Sequence, residues 1–189
     1  RTAVAEEVWR YAAEEAVRSL AENNATTVLM PSGAGDIEIG LRIVAGFRQP
    51  GKVPFRALVV VPKPLFAYAE QRYREHFGGE VDVVSVNRTT EGVNETAGRL
   101  AEKTKPVIIL SRYEDMQRVA MSQNLQKSGA LELLVFESAH IVRAGGFREA
   151  GVKLVRAKKR AYISARRLAG LAPGALLAPG QEKGYAKEA

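Results

Sequence analysis

The stretch Thr27-Val28-Leu29-Met30-Pro31-Ser32-Gly33-Ala34-Gly35-Asp36-Ile37-Glu38 decides the fold. Its first part is short and apolar, as a buried strand requires. Two glycines then mark a tight turn, and from Ile37 to Phe47 apolar residues recur at helical spacing. A strand running through a Gly-rich turn into a helix points backbone N–H groups outward at the helix N-terminus, the arrangement that cradles phosphate. A triphosphate-binding loop of this kind ends in Lys, for the β/γ-phosphates, and then Ser or Thr, for Mg²⁺. Asp36 and Ile37 hold those two places. Unit charges about 4 Å apart interact by roughly 4 kcal/mol at an effective dielectric near 20, so an acid at the Lys position sets binding back by several kcal/mol. Gly33, Ala34, Gly35, Asp36 and Ile37 therefore read as a degenerate nucleotide site, or as a plain strand-to-helix turn in which Asp36 caps the helix.

Outward from this turn, the same alternation repeats. Strand candidates are Thr26 to Met30, Ala57 to Val61, Val81 to Val86, Val107 to Leu110, Leu131 to Phe136 and Ala161 to Ser164. Helical patterns cover Glu6 to Glu22, Ile37 to Phe47, Leu65 to Phe77, Val93 to Lys103, Glu114 to Gln123 and Phe147 to Lys158, with Pro64 suited to a first helical turn. Strands alternating with helices predict an α/β fold: a mostly parallel central sheet of about six strands flanked by helices. After Arg167 two Pro-Gly pairs, Pro173-Gly174 and Pro179-Gly180, punctuate the chain. One domain over residues 1–167 and a linker or flexible tail over 168–189 is the expected organisation.

Composition limits the chemistry. The 189 residues are 46% apolar and 26% charged, ordinary for a globular chain with a core to bury. The absence of Cys removes disulfides, thiolate nucleophiles and Cys-based zinc sites. No apolar run approaches the roughly 20 residues of a membrane span, and Arg1-Thr2-Ala3-Val4-Ala5-Glu6-Glu7 is no signal peptide, so no membrane partner and a cytoplasmic location are expected. Lys and Arg number 28 against 21 Asp and Glu, a net charge of +7 that favours a polyanionic partner.

The order of landmarks resembles the first RecA-like domain of superfamily 2 helicases and translocases over about residues 8 to 170. Tyr11 to Val17 looks like the opening helix, with Ala13 near the place of the family's adenine-reading Gln. Met30 to Glu38 is similar to motif I, Pro-Thr-Gly-x-Gly-Lys-Thr, except at its functional end. Ala57 to Leu65 resembles motif Ia, and Val107 to Tyr113 the next strand and turn, with Arg112 in place of the usual Thr; in the family both loops touch the nucleic-acid backbone. Glu137-Ser138-Ala139-His140 resembles the Asp-Glu-Ala-His box of motif II, and Ser164-Ala165-Arg166 the Thr-Ala-Thr of motif III. By this resemblance Glu137 stands where the family's Asp holds Mg²⁺, and Ser138 where its Glu polarises the attacking water; a Ser cannot act as that base.

What the resemblance implies is a RecA-like P-loop fold with degenerate motifs: a catalytically inactive, pseudo-ATPase domain that binds nucleic-acid backbone, or a scaffold within a nucleic-acid-processing protein. No catalytic residue and no cofactor are expected. The alternative is the N-terminal half of an ATP-dependent helicase or translocase, using ATP with Mg²⁺ and an Arg finger from a second RecA-like domain. Nucleic-acid contacts, to DNA or RNA, are expected from Lys63, Arg112, Lys158, Lys159, Arg160 and Arg166, and a second RecA-like or other domain is the expected protein partner. The run from Lys153 to Arg167 also reads as a solvated helix end.

Other chemistry is weakly signalled. His76 reads as a surface residue near a helix end. Glu137 and His140 share a Glu-x-x-His spacing, but they follow a strand and have no second His nearby, so no metal site is expected. Ser32, Ser138 and Ser164 lack the His and carboxylate of a nucleophile elbow. Trp9 and Tyr11 read as packing against the sheet, with base stacking as the alternative.

Overall fold

Every apolar run expected to be a strand forms one; the central strands are covered by protein on both faces, and the edge strands β1 and β3 are partly exposed. The computed structural model describes residues 3–31, 33–86, 90–101, 105–121, 125, 127, 129–139 and 155–165. In chain order the elements are α1 (Ala3–Glu22), β1 (Ala25–Leu29), α2 (Asp36–Phe47), β2 (Arg56–Val61), a 3₁₀ turn (Lys63–Leu65), α3 (Phe66–Phe77), β3 (Asp82–Ser85), α4 (Thr90–Ala101), β4 (Val107–Arg112), a second 3₁₀ turn (Tyr113–Asp115), α5 (Met116–Met121), β5 (Leu131–Phe136) and β6 (Ala157–Ser164). The six strands form one sheet in the order β1-β6-β5-β2-β4-β3, and every neighbouring pair is parallel.

Alternation along the central strands divides the core in two. Ala57, Val59, Val61, Ile108, Leu110, Val135 and Ile163 join Leu20, Ile39, Ile43 and Tyr73 of α1, α2 and α3 on one face. Leu58, Val60, Ile109, Leu134, Phe136 and Tyr162 meet Tyr113, Met116 and Val119 on the other. Both faces being dry, β2 and β4 are buried at every position, which is why they read as unbroken apolar runs. All six strands end at one edge of the sheet, where α/β folds place their ligands.

Two element expectations change. The helix expected to reach Lys158 does not: residues 147–154 lie outside the described residues, Val155 and Arg156 are irregular, and β6 already begins at Ala157, four residues before the expected Ala161. Charge density suggested a helix end there, but pairing of Ala157 with Leu131 and of Arg160 with Ala25 draws the segment into the sheet. The expected helix from Glu114 begins instead as the 3₁₀ turn Tyr113–Asp115. Residues 168–189, expected to be a linker or tail, lie outside the described residues. Among the described residues no helix is long and apolar enough to cross a membrane.

Candidate functional site

The loop between β1 and α2 is built as the sequence suggests and occupied by different chemistry. Gly33 and Gly35 take φ of 78° and 105°, the left-handed region where a side chain is strained. Ala34 N–H closes a turn onto the Pro31 carbonyl at 3.0 Å, and Ile39 N–H donates to the Gly35 carbonyl at 3.0 Å to start the helix. Gly35 is the residue that caps α2. Asp36 is thus not the cap expected from sequence; it sits in the first turn, where its charge suits the positive end of the helix dipole.

The Asp36 carboxylate has a partner from the other side of the loop. Ser138 Oγ donates to Asp36 Oδ2 at 2.7 Å, joining residues 102 positions apart. Ser138 holds this place at φ 51°, a conformation that costs a residue with a side chain roughly 1–2 kcal/mol. Thus the loop after β1 and the turn after β5 are closed onto each other by an internal anion and a hydroxyl.

Glu137, beside it, turns into the protein. Its N–H donates to the Val60 carbonyl at 2.9 Å and its own carbonyl accepts from Tyr113 OH at 2.7 Å, fixing the turn after β5. Its side chain is 0% exposed and lies beneath the second turn of α2, where Tyr73 OH donates to Oε1 at 3.2 Å. Oε2 has no hydrogen-bond partner among the described residues. Burial drives the carboxyl pKa well above its ordinary value; the Tyr73 hydrogen bond opposes this, and repulsion by Asp36 and Glu38 adds to it. Tyr73 is raised in turn, by burial and by Glu137. Gly40 makes the room: a Cβ there would strike the Glu137 carboxyl and lie 3.2 Å from Tyr73 OH.

Trp9 covers the loop from α1. Its Nε1 donates to the Ala34 carbonyl at 2.5 Å, and a Cβ on Gly35 would lie 2.5 Å from the indole. The Arg42 guanidinium stands 5.4 Å from the indole centroid. Trp9 therefore packs on the loop as well as on the core, while Tyr11, expected against the sheet, is 65% exposed. Ala13 is buried in the core.

A second network was not foreseen. Glu38 in α2 is buried and accepts from Arg72 Nε at 2.7 Å, Arg72 Nη2 at 3.2 Å, Tyr68 OH at 3.1 Å and Arg42 Nη1 at 3.0 Å. Burial alone would raise its pKa, but hydrogen bonds from Arg72, Arg42 and Tyr68 outweigh it and hold the carboxyl at about 2. Only the Glu38–Arg42 spacing of four was visible in sequence; Arg72 and Tyr68 come from another helix.

The expected nucleic-acid residues do not form one patch. Lys63 is exposed at the carboxyl edge of the sheet, in the turn after β2. Arg112 ends β4 at the same edge but is 8% exposed, bound to Asp115 Oδ2 through Nε at 2.7 Å and Nη2 at 2.5 Å, with Phe66 stacked 5.8 Å away. Lys158, Lys159 and Arg160 enter β6 at the opposite edge. There Lys158 Nζ stands 3.8 Å from Glu132, Lys159 donates to the Asn23 carbonyl at 3.0 Å, and Arg160 is 1% exposed and donates to the Val155 carbonyl. Arg166, Ser32 and His140 lie outside the described residues. His76 is exposed in the last turn of α3; partial burial, with Arg42 and Arg72, lowers its pKa.

No family model matches the sequence, and no curated protein matches it. Solved structures do. The chain superposes with a TM-score of 0.61 on an ATP-dependent Type ISP restriction-modification enzyme, LlaBIII, bound to DNA, at 18% identity over 83% of this chain. It superposes at 0.66 on the Sulfolobus solfataricus SWI2/SNF2 ATPase core in complex with dsDNA, at 12% identity over 94% of this chain. It spans 12% of the first protein and 36% of the second. The likeness is one of fold: a RecA-like α/β domain with a six-stranded parallel sheet flanked by helices.

Proposed function

We propose that this chain is a helicase-like domain that does not turn over ATP and acts as an interaction module in a nucleic-acid-processing protein. The observation that carries this reading is the Ser138–Asp36 bond across the loop, with an acid at the place of a phosphate-gripping cation. ATP with Mg²⁺ does not fit these residues. A terminal phosphate would meet the Asp36 carboxylate, and the Glu137 carboxyl is buried against Tyr73, with burial favouring its neutral form. Trp9 lies on the loop as well, bonded to the Ala34 carbonyl.

Nucleic acid as partner is supported more loosely, by the net charge, by the exposed Lys63 at the carboxyl edge and by two similar solved structures that hold DNA. The kept loop geometry favours a second reading, half of an ATP-dependent motor completed by another RecA-like domain. Calorimetry with ATP and Mg²⁺ separates the two. No heat of binding up to about 1 mM is expected for the wild type. The double substitution Asp36→Lys, Ile37→Thr is expected to gain measurable affinity, because the glycine turn is already in place. Micromolar binding with turnover by the wild type would reverse the proposal.

A further inference from the structure

We infer that the groove between α1 and α2 is a docking site for an acidic amphipathic helix of a protein partner. This inference does not rest on the nucleotide reading. The groove encloses about 530 Å³ over a floor of Ala13, Val17, Ala45 and Gly46. It continues past Val17 and Gly46 into a second hollow of about 290 Å³ backed by Phe47 and Phe55.

Three features select the occupant. A channel between two packed helices is where a third helix seats its side-chain ridge, and small floor residues let its backbone come close. The floor is apolar, so the occupant needs apolar anchors on one face, at i, i+3, i+4 and i+7. The lining cations are Arg10, Arg18, Arg42 and Lys52, against two carboxylates, Glu14 and Glu132; Arg42 is already bound to Glu38 and Glu132 to Arg56. Among the described residues Arg10 and Arg18 pair with the solvent-exposed Glu14 and Glu15. Exposed pairs of that kind contribute little and exchange readily for a carboxylate on an incoming helix. A nucleic-acid strand would satisfy the rim but leave the aliphatic floor uncovered, whereas an acidic amphipathic helix satisfies both.

The test uses the whole chain and a Trp-free peptide of about 18 residues, five helical turns, with Leu at the anchor positions and Glu elsewhere. A second peptide carries Lys in place of each Glu. The chain's single tryptophan reports binding without a label, because Arg42 lines the groove and stands over the Trp9 ring. The Glu peptide is expected to shift Trp9 emission saturably and to bind at least tenfold more tightly than the Lys peptide. Arg10→Glu with Arg18→Glu is expected to lower its affinity at least tenfold with far-UV circular dichroism unchanged. Should that variant not fold, Lys52→Glu alone is expected to weaken binding about threefold.

The inference is overturned if both peptides bind alike, if neither binds up to about 1 mM, or if charge reversal leaves affinity unchanged. It is equally overturned if a single- or double-stranded oligonucleotide displaces the Glu peptide. Sedimentation showing a dimer that Arg10→Glu with Arg18→Glu dissociates would also overturn it, since the occupant would then be a second copy of this chain.

Discussion

Gly40, Glu137 and Tyr73 show how one residue's lack of a side chain sets another's chemistry. Alanine in place of glycine inside a helix ordinarily gains about 1 kcal/mol. Here a Cβ would push the Glu137 carboxyl off the Tyr73 hydroxyl, leaving buried polar groups unpaired at a cost of about 1–3 kcal/mol each. Gly40→Ala is therefore expected to destabilise the domain by about 1–2 kcal/mol, and adding Glu137→Ala should make the second change cost less than it does alone. Chemical denaturation of the four proteins in that cycle checks this. Glu137 also predicts a pH response. Its pKa is raised in the folded state, so the folded chain holds its proton longer than the unfolded chain does. Its contribution is fully present below the ordinary value of 4.5 and is lost as pH rises toward the raised folded value. The stability of Glu137→Gln relative to wild type should accordingly improve as pH is raised from 4.5; a difference flat with pH would count against a buried, protonated Glu137.

Between elements, the Glu38 carboxylate is the tie that fixes α2 to α3. Its folded pKa of about 2 lies below the ordinary 4.5, so the sign is opposite to that of Glu137. The stabilisation is present above pH 4.5 and is lost as pH falls through about 2. Removing one partner of a buried pair costs 3–5 kcal/mol when both charges are buried. The Arg72 and Arg42 side chains keep 17% and 27% of their surface in water, so the lower figure of about 2–3 kcal/mol is expected for Glu38→Gln at neutral pH. Thermal melts of both proteins between pH 2 and 5 should show a steeper acid loss for wild type than for Glu38→Gln. Without the tie α2 keeps its apolar packing but loses its polar link to α3, and the loop that leads into α2 should loosen, visible as a shift in Trp9 emission.

Across the whole molecule, the edges of the sheet carry different charge chemistry. Lys63 is exposed at the carboxyl edge and Arg112 there is tied to Asp115, whereas Lys158, Lys159 and Arg160 lie at the opposite edge and make contacts within the chain. If nucleic-acid backbone is a partner, few phosphates can be met at once. The logarithm of affinity should then fall with the logarithm of salt at a shallow slope, about 0.9 per phosphate contacted. Lys63→Glu is expected to weaken binding severalfold in anisotropy titrations with duplex DNA, and Lys158→Glu to leave it unchanged. The reverse order would move the interface to the amino edge.

Read along the chain alone, the six strands, their parallel pairing and the strand, glycine turn and helix order of the loop were legible. Apolar runs long enough for a strand and too short for a span, alternating with helical periods, leave few other architectures, and Asp36 stands where it does whatever surrounds it. The side-chain directions at the site were not legible. Glu137, read as part of a degenerate nucleotide site, has its side chain buried against Tyr73; Trp9 lies on the loop; Arg112 is paired, and residues 158–160 begin a strand at the opposite edge. Periodicity records which face of an element is apolar, a property of neighbours in sequence. Trp9, Glu137 and Ser138 are oriented by Ala34, Tyr73 and Asp36, which lie 25, 64 and 102 residues away, and only the folded chain brings those together; Arg112 meets a local partner, Asp115, three residues on.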